Sequence, residues 1–452
     1  MAVQHSTTTA PTAVEPGHAA RATRSPQQAT WLGILGLLGL LSAARLLVTA
    51  FSYGVPAWFD EELNPLIGLI RLGQPISQID PRQYGVVVFL VFDPALRRLG
   101  PDLAALATYA TWVSLLATLV GFAFAARRFA GDRPGARLLV LLVAWSSAVP
   151  LLYVIAQHMV DAWQLCFLSA SLFLFTGSTH QRRFAGLPLA AATLTKLLPG
   201  LLLVFLFVRS WRAGLIGLAG IGVLLSVGQV MYGSLMGLGY PLAVLSGGGD
   251  TVARWSTHFE NNSIRGLLFK VGAGFRLQGD TATYILDPGL AGVLNVLAYA
   301  LSAALVAYLL FVAWRGRGRD STAHRSIEFS LGIVTMLLVS PHTAQDYLVT
   351  ALPVLAVWLY LWCERLPRAW SVRQTVLGAL AAVFVGVFVP MNLFSRVLPL
   401  GWLVNLTGNA HNILFVDQIG PAIGAYDFFG FPGIGLLLGW LLLVRLERQT
   451  DA

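Results

Sequence analysis

Long apolar runs decide what this chain can fold into. Trp31–Phe51 reads "WLGILGLLGLLSAARLLVTAF", enough for one membrane-crossing helix, which takes about 20 mainly apolar residues. Comparable stretches follow at Leu103–Ala126, Leu138–Ile155, Ala162–Thr176, Gly214–Met236, Leu290–Trp314, Ile327–Val339, Tyr347–Cys363, Thr375–Met391 and Pro432–Val444. Only 11% of the residues are charged, against about 25% in a soluble domain. The expected fold is an all-α polytopic membrane protein whose solvent is largely lipid. The formal net charge of +9 is compatible with a nucleic-acid partner, but the arginines stand in short clusters between apolar runs, and no nucleic-acid role is expected. Cys166 and Cys363 both lie in apolar stretches and supply neither a disulfide framework nor metal-ligand spacing.

The arginine clusters orient the spans, because cytoplasmic loops carry the excess of Lys and Arg. They fall at Arg127–Arg137, Arg182 and Arg183, Arg209 and Arg212, Arg315–Arg325, Arg365–Arg373, and Arg445 with Arg448. Placing all of them inside makes two stretches unusual. Phe184–Val208 must leave and return within one side, as a broken hairpin with Lys196 near its tip and Pro199 behind it. Tyr84–Leu96, interrupted by Asp93 and Pro94, must fail to cross completely. Irregular backbone at membrane depth survives only where protein or a wet cavity covers it, so both breaks imply a cavity opening outward. The expected domains are a disordered cytoplasmic tail over 1–30, a transmembrane domain over 31–445, and a cytoplasmic tail over 446–452. Its principal outer loops are 54–83, 237–288 and 392–431.

The outer loops then hold most of the unusual polar residues. Asp60, Glu61 and Glu62 stand together in "AWFDEELN" and are candidate general bases. Lys196, Arg265, His258 and His342 can meet an anion, Arg with a planar fork suited to phosphate oxygens. A base that takes a proton from an acceptor hydroxyl, opposite cations that stabilise a departing phosphate, is what transfer from a phosphate leaving group needs. Plainer readings stand beside these. The acidic trio could open an amphipathic helix through Leu63–Leu72, Lys196 could snorkel, Arg265 could touch lipid headgroups, and His342 could be a loop or capping residue. His158 and Asp161 read first as helix-end polar residues. Asn261-Asn262-Ser263 is a glycosylation-like sequon, too close to the site to be an acceptor.

Four segments resemble the polytopic glycosyltransferases of the C superfamily, in the bacterial family 87 branch that includes polyprenyl-phosphate-mannose-dependent alpha-mannosyltransferases. They are "FDEELN" with the following "PRQYGVVVFLVFDPALRRL", "IAQHMVDAWQLCFLSASL", "AAATLTKLLPGLLLVFLFVRSWRA", and the pair "HFENNSIRGLL" and "LVSPHTAQDYLVTALPVL". The resemblance runs from about Trp31 to Cys363. It implies a GT-C type bundle of about 10–13 transmembrane helices with re-entrant breaks. It also implies inverting transfer of a hexose, mannose first, from a polyprenyl-phosphate-sugar donor to a glycolipid or glycan acceptor on the extracytoplasmic face, without a cofactor or metal. Carried over, Asp60 is the base, with Glu61 and Glu62 as acceptor-side support. Lys196, Arg265 and His342 line the donor phosphate, and His258, Asn262, Gln157, His158 and Asp346 are candidate substrate contacts. Asn392–Ala452 matches nothing in this pattern. A lipid-linked sugar flippase, a glycan ligase and a non-catalytic lipid-binding partner are the rival readings.

Overall fold

The computed structural model describes residues 26–52, 85–100, 102–129, 134–233, 237–239, 257–276, 283–365, 371–384 and 430–449. Asp60, Glu61 and Glu62, with almost all of the outer loops 54–83 and 392–431, lie outside them. The helices in order are α1 (Pro26–Ser52), α2 (Val86–Leu99), α3 (Leu103–Phe129), α4 (Pro134–Ser146), α5 (Val149–Ala156), α6 (Asp161–Phe175), α7 (Thr179–Arg183), α8 (Gly186–Thr193), α9 (Gly200–Arg209), α10 (Trp211–Tyr232), α11 (Ile264–Gly272), α12 (Pro288–Arg315), α13 (Thr322–Val339), α14 (Gln345–Leu348), α15 (Leu352–Arg365), α16 (Val372–Phe384) and α17 (Phe431–Gln449). Among the described residues the extended structure is a single antiparallel bridge between His258 and Thr283.

Four helices among the described residues are long and apolar enough to cross a membrane: Thr30–Phe51, Leu103–Phe129, Trp211–Tyr232 and Pro288–Gly318. They show apolar side chains outward, as Leu119 (63% exposed), Val296 (70%) and Val230 (85%) illustrate. Such a surface is an aggregation liability in water and is satisfied by lipid; the chain is a membrane protein. The polar accents fall at helix starts instead. Asp287 accepts from the Gly289 and Leu290 amides at 2.9 and 3.1 Å ahead of Pro288, and Ser321 caps α13 through the His324 amide at 3.1 Å. In contrast α13 is enclosed on all sides, every residue from His324 to Leu338 being buried.

Local chemistry explains three departures from the expected spans. Leu138–Ile155 is not one helix but α4 and α5, bent by 52°. Pro150 lies at the start of α5 behind an extended Ala148, and proline cannot donate to the turn before it. Asp93-Pro94, expected to interrupt its stretch, lies inside α2, where Asp93 pairs with Arg97 at 2.8 Å. The C-terminal helix continues to Gln449, into the expected 446–452 tail, with Leu446 and Glu447 buried.

Among the described residues, arginines of several basic clusters meet at one end. Arg182 binds Asp320 at 2.7 Å, Arg209 binds Glu328 at 2.8 Å, Arg315 binds Glu447 at 2.5 Å, and Arg325 donates to the Thr176 and Gly177 carbonyls at 3.1 Å. Arg182 precedes α8 and Arg209 ends α9, so the chain between them departs from this end and comes back to it. Arg209 and Glu328 are 1% and 0% exposed, and removing one partner of such a pair strands the other charge. Glu328→Gln is expected to lower stability by about 3 kcal/mol, read as a drop in the thermal midpoint of the detergent-solubilised protein. An unchanged midpoint would show that this pair does not hold the end together.

Candidate active site

At the opposite end the helical hairpin breaks. Between α8 and α9, residues 194–199 turn over without helix, and two carbonyls freed by the break are taken by the start of α2: Gly85 N–H donates to Thr195 O at 3.0 Å and Val87 N–H to Leu194 O at 3.1 Å. A Cβ on Gly85 would lie 2.1 Å from Leu194 O, so only glycine allows this approach. Gln164 secures the turn from below, its Nε2 donating to Ala192 O at 3.3 Å and Lys196 O at 3.2 Å. Phe89 and Phe92 of α2 pack on Tyr232, Tyr109 and Trp163. α2 therefore braces the tip.

The turn presents Lys196. Its Nζ donates to Asp161 Oδ2 at 2.7 Å and Asp346 Oδ2 at 3.0 Å, and lies 4.4 Å from the Tyr347 ring centre. Asp161 is fully buried, so it is an ion-pair partner as well as the first residue of α6. An ammonium has three donors and no acceptor. Two already meet carboxylates, so an arriving anion would share Lys196 with them or displace one.

A second polar unit joins the loop before α11 to the turn after α13. Asn261 Nδ2 donates to Pro341 O at 2.9 Å, and its Oδ1 accepts from the Ser263 and Thr343 amides, both at 3.1 Å. Asn262 N–H donates to Thr343 O at 2.7 Å. Ser263 caps α11 through the Gly266 amide at 3.2 Å. Behind them α17 begins so close that a Cβ on Gly433 would lie 2.5 Å from Asn262 O. The C-terminal segment that matched no sequence pattern thus supports this loop.

These two units meet around His342. Its ring centre lies 6.3 Å from that of His258 and 6.1 Å from that of Tyr347. Burial lowers the His342 pKa from its ordinary 6.5 to about 4; the Asp346 charge opposes the fall, and the Lys196 and Lys270 charges add to it. At neutral pH the ring is uncharged, so it can offer an anion an N–H but not a positive charge. The unfolded chain takes up this proton near pH 6.5 and the folded chain only near 4, so the stability contributed by the neutral ring is complete above 6.5 and is lost as pH falls through that window. Thermal midpoints measured from pH 7 to pH 4 should fall more shallowly for His342→Gln than for wild type. Parallel curves would contradict this placement of the ring.

The remaining candidates are distributed unevenly. Lys196, Asp346, His342, His258 and Asn262 come together, although both atoms of the Asn262 carboxamide are engaged within the protein. Asn261 is fully buried, which is incompatible with carrying a glycan. Arg265 turns to aromatic faces, its guanidinium 5.6 Å from the ring centres of both Phe269 and Tyr299. His158 adopts φ 55° and its Nδ1 is 2.7 Å from Thr111 Oγ1, while Gln157 closes α5 as its C-cap. Sequence reasoning passed over Lys270, a buried lysine within "GLLFKVGAGF". A lone charge in so apolar a run was its only signal, and an expensive one to bury.

Comparison with known proteins yields one family: the family model for glycosyltransferase family 87 matches residues 84–341, more than half of the chain. Its bounds take in Lys196, Asn262 and Arg265 but neither Asp60 nor His342. No curated protein matches. Two solved structures are similar, both of ArnT from Cupriavidus metallidurans, one in the apo state and one bound to undecaprenyl phosphate. Each is 16% identical, with a TM-score of 0.47 over 92% of this chain and 78% of the other.

Proposed function

This chain belongs to glycosyltransferase family 87, and from that membership we propose that it transfers a hexose, mannose first, from a polyprenyl-phosphate-sugar donor to a glycolipid or glycan acceptor. The observation that supports this reading is the convergence of Lys196, Asp346, His342 and Lys270 at one end of the helices, away from the arginine-rich end. Arginine-rich ends face the cytoplasm, so the reaction takes place on the extracytoplasmic side and the N-terminus is cytoplasmic. The acceptor hydroxyl attacks the anomeric carbon from the face opposite the phosphate, and Asp60 takes the hydroxyl proton. The new glycosidic C–O bond forms as the bond to the phosphate oxygen breaks, and polyprenyl phosphate leaves with the electron pair. Inversion needs one base and no carboxylate nucleophile. Lys196 and the His342 N–H meet the phosphate as its charge grows; Arg265, Glu61 and Glu62 take the supporting roles that the family pattern implies.

The experiment incubates detergent-purified protein with polyprenyl-phosphate mannose and a lipid-extract acceptor pool, reading released polyprenyl phosphate and sugar incorporation together. Coupled release and incorporation are expected. Binding of the lipid without turnover, for mannose and for other hexose donors alike, would overturn the reading in favour of a lipid carrier or binding partner.

A further inference from the structure

We infer that Lys270 is a positioning residue for the transfer reaction, acting through Asn262 on the turn that carries His342. The inference rests on the proposed donor-phosphate role of His342. Lys270 lies on α11 and is 1% exposed, and its Nζ donates to Asn262 Oδ1 at 3.3 Å. A lysine only donates, so it dictates which end of the carboxamide faces it. That leaves Asn262 Nδ2 directed to Glu260 O at 2.9 Å. With its side chain held at both ends, Asn262 presents its backbone N–H to Thr343 O at 2.7 Å. Asn261 holds the same turn from the neighbouring position, bonding Pro341 O and the Thr343 amide. The residues on both sides of His342 are therefore clamped by one asparagine pair, and Lys270 orients one member of it. Lys270 is also held from behind: a Cβ built on Gly430 (φ +71°) would lie 3.3 Å from Lys270 Cδ. The positive charge of Lys270 further disfavours protonation of His342.

The test uses the full-length protein with Lys270→Met, Lys270→Arg, Asn262→Ala and the Lys270→Met/Asn262→Ala double variant. Hydrogen–deuterium exchange over 340–346 is measured alongside kcat and KM for the donor. Lys270→Met should raise exchange in that turn and lower kcat by about tenfold or more, since small misplacements of a catalytic group are costly, with a smaller change in KM. Lys270→Arg should recover most of the kcat. The double variant should be no worse than either single one, because residues acting through one contact are not additive. Unchanged exchange in Lys270→Met would overturn the inference, as would raised exchange with unchanged kcat, or fully additive losses. Failure of the donor reading would appear separately, as absence of transfer by the wild type. The exchange comparison still decides in that case whether Lys270 positions the turn.

Discussion

Asp60→Asn should lower transfer at least about a hundredfold while leaving donor binding intact. Positioned general bases contribute typically 10²–10⁴-fold, and asparagine keeps the size and hydrogen-bonding reach of aspartate but cannot take up the proton. The expectation comes from the sequence: Asp60 follows "AWF", the kind of aromatic pair expected at a membrane interface, in the segment that resembles the family's base-bearing loop. Wild type and variant would be run side by side in the polyprenyl-phosphate mannose assay, with donor binding measured on both. Reduced turnover with retained binding identifies the base. Equal turnover would remove Asp60 from that role and transfer it to Glu61 or Glu62, whose Gln variants complete the series. A flippase, by contrast, should tolerate the substitution, since moving a lipid requires no proton acceptor at this position.

Lys196→Met carries the second large effect, and here structure and function can be separated. The Lys196 ammonium lies between Asp161 and Asp346, and its removal leaves two buried carboxylates facing each other. Breaking a buried ionic group from one side costs about 3–5 kcal/mol, so a large fall in thermal midpoint is expected together with loss of transfer. Adding Asp346→Asn removes the repulsion between the two carboxylates but leaves the Asp161 charge buried, so the double variant should regain part of the midpoint. It should not regain transfer if Lys196 meets the donor phosphate. Recovery of both would make Lys196 a structural ion-pair partner only, and retention of both in the single variant would contradict the geometry of the turn.

Several of these features were legible in the sequence because their signals are local. Apolar runs announced lipid as solvent, and the arginine clusters announced a common end, which the pairs Arg182–Asp320 and Arg209–Glu328 display. The requirement that Arg182 and Arg209 share an end implied a break near Lys196 and Pro199. Pro150 is equally local, but the unbroken apolar stretch around it reads as one span, whereas the chain bends there. Asp93-Pro94 reads as an interruption, yet α2 runs through it with Asp93 paired to Arg97 one turn on.

What the sequence by itself determined is the membrane class, the common end shared by several basic clusters and the short list of polar groups away from them. The tertiary structure alone decided how those groups pair. Lys196 lies 35 positions from Asp161 and 150 from Asp346, and no local pattern distinguishes a lysine that will be shared by two carboxylates from one that reaches for headgroups. Asn261 and Asn262 read as a sequon and a candidate substrate contact until the Pro341–Thr343 turn is brought against them. Lys270, in the expected outer loop 237–288, has no visible role until Asn262 is placed beside it. Apolarity and positive charge act on each segment by itself, through its own transfer into lipid. The worth of a buried polar group depends on which partner replaces its lost water, and that partner is supplied only when distant segments pack.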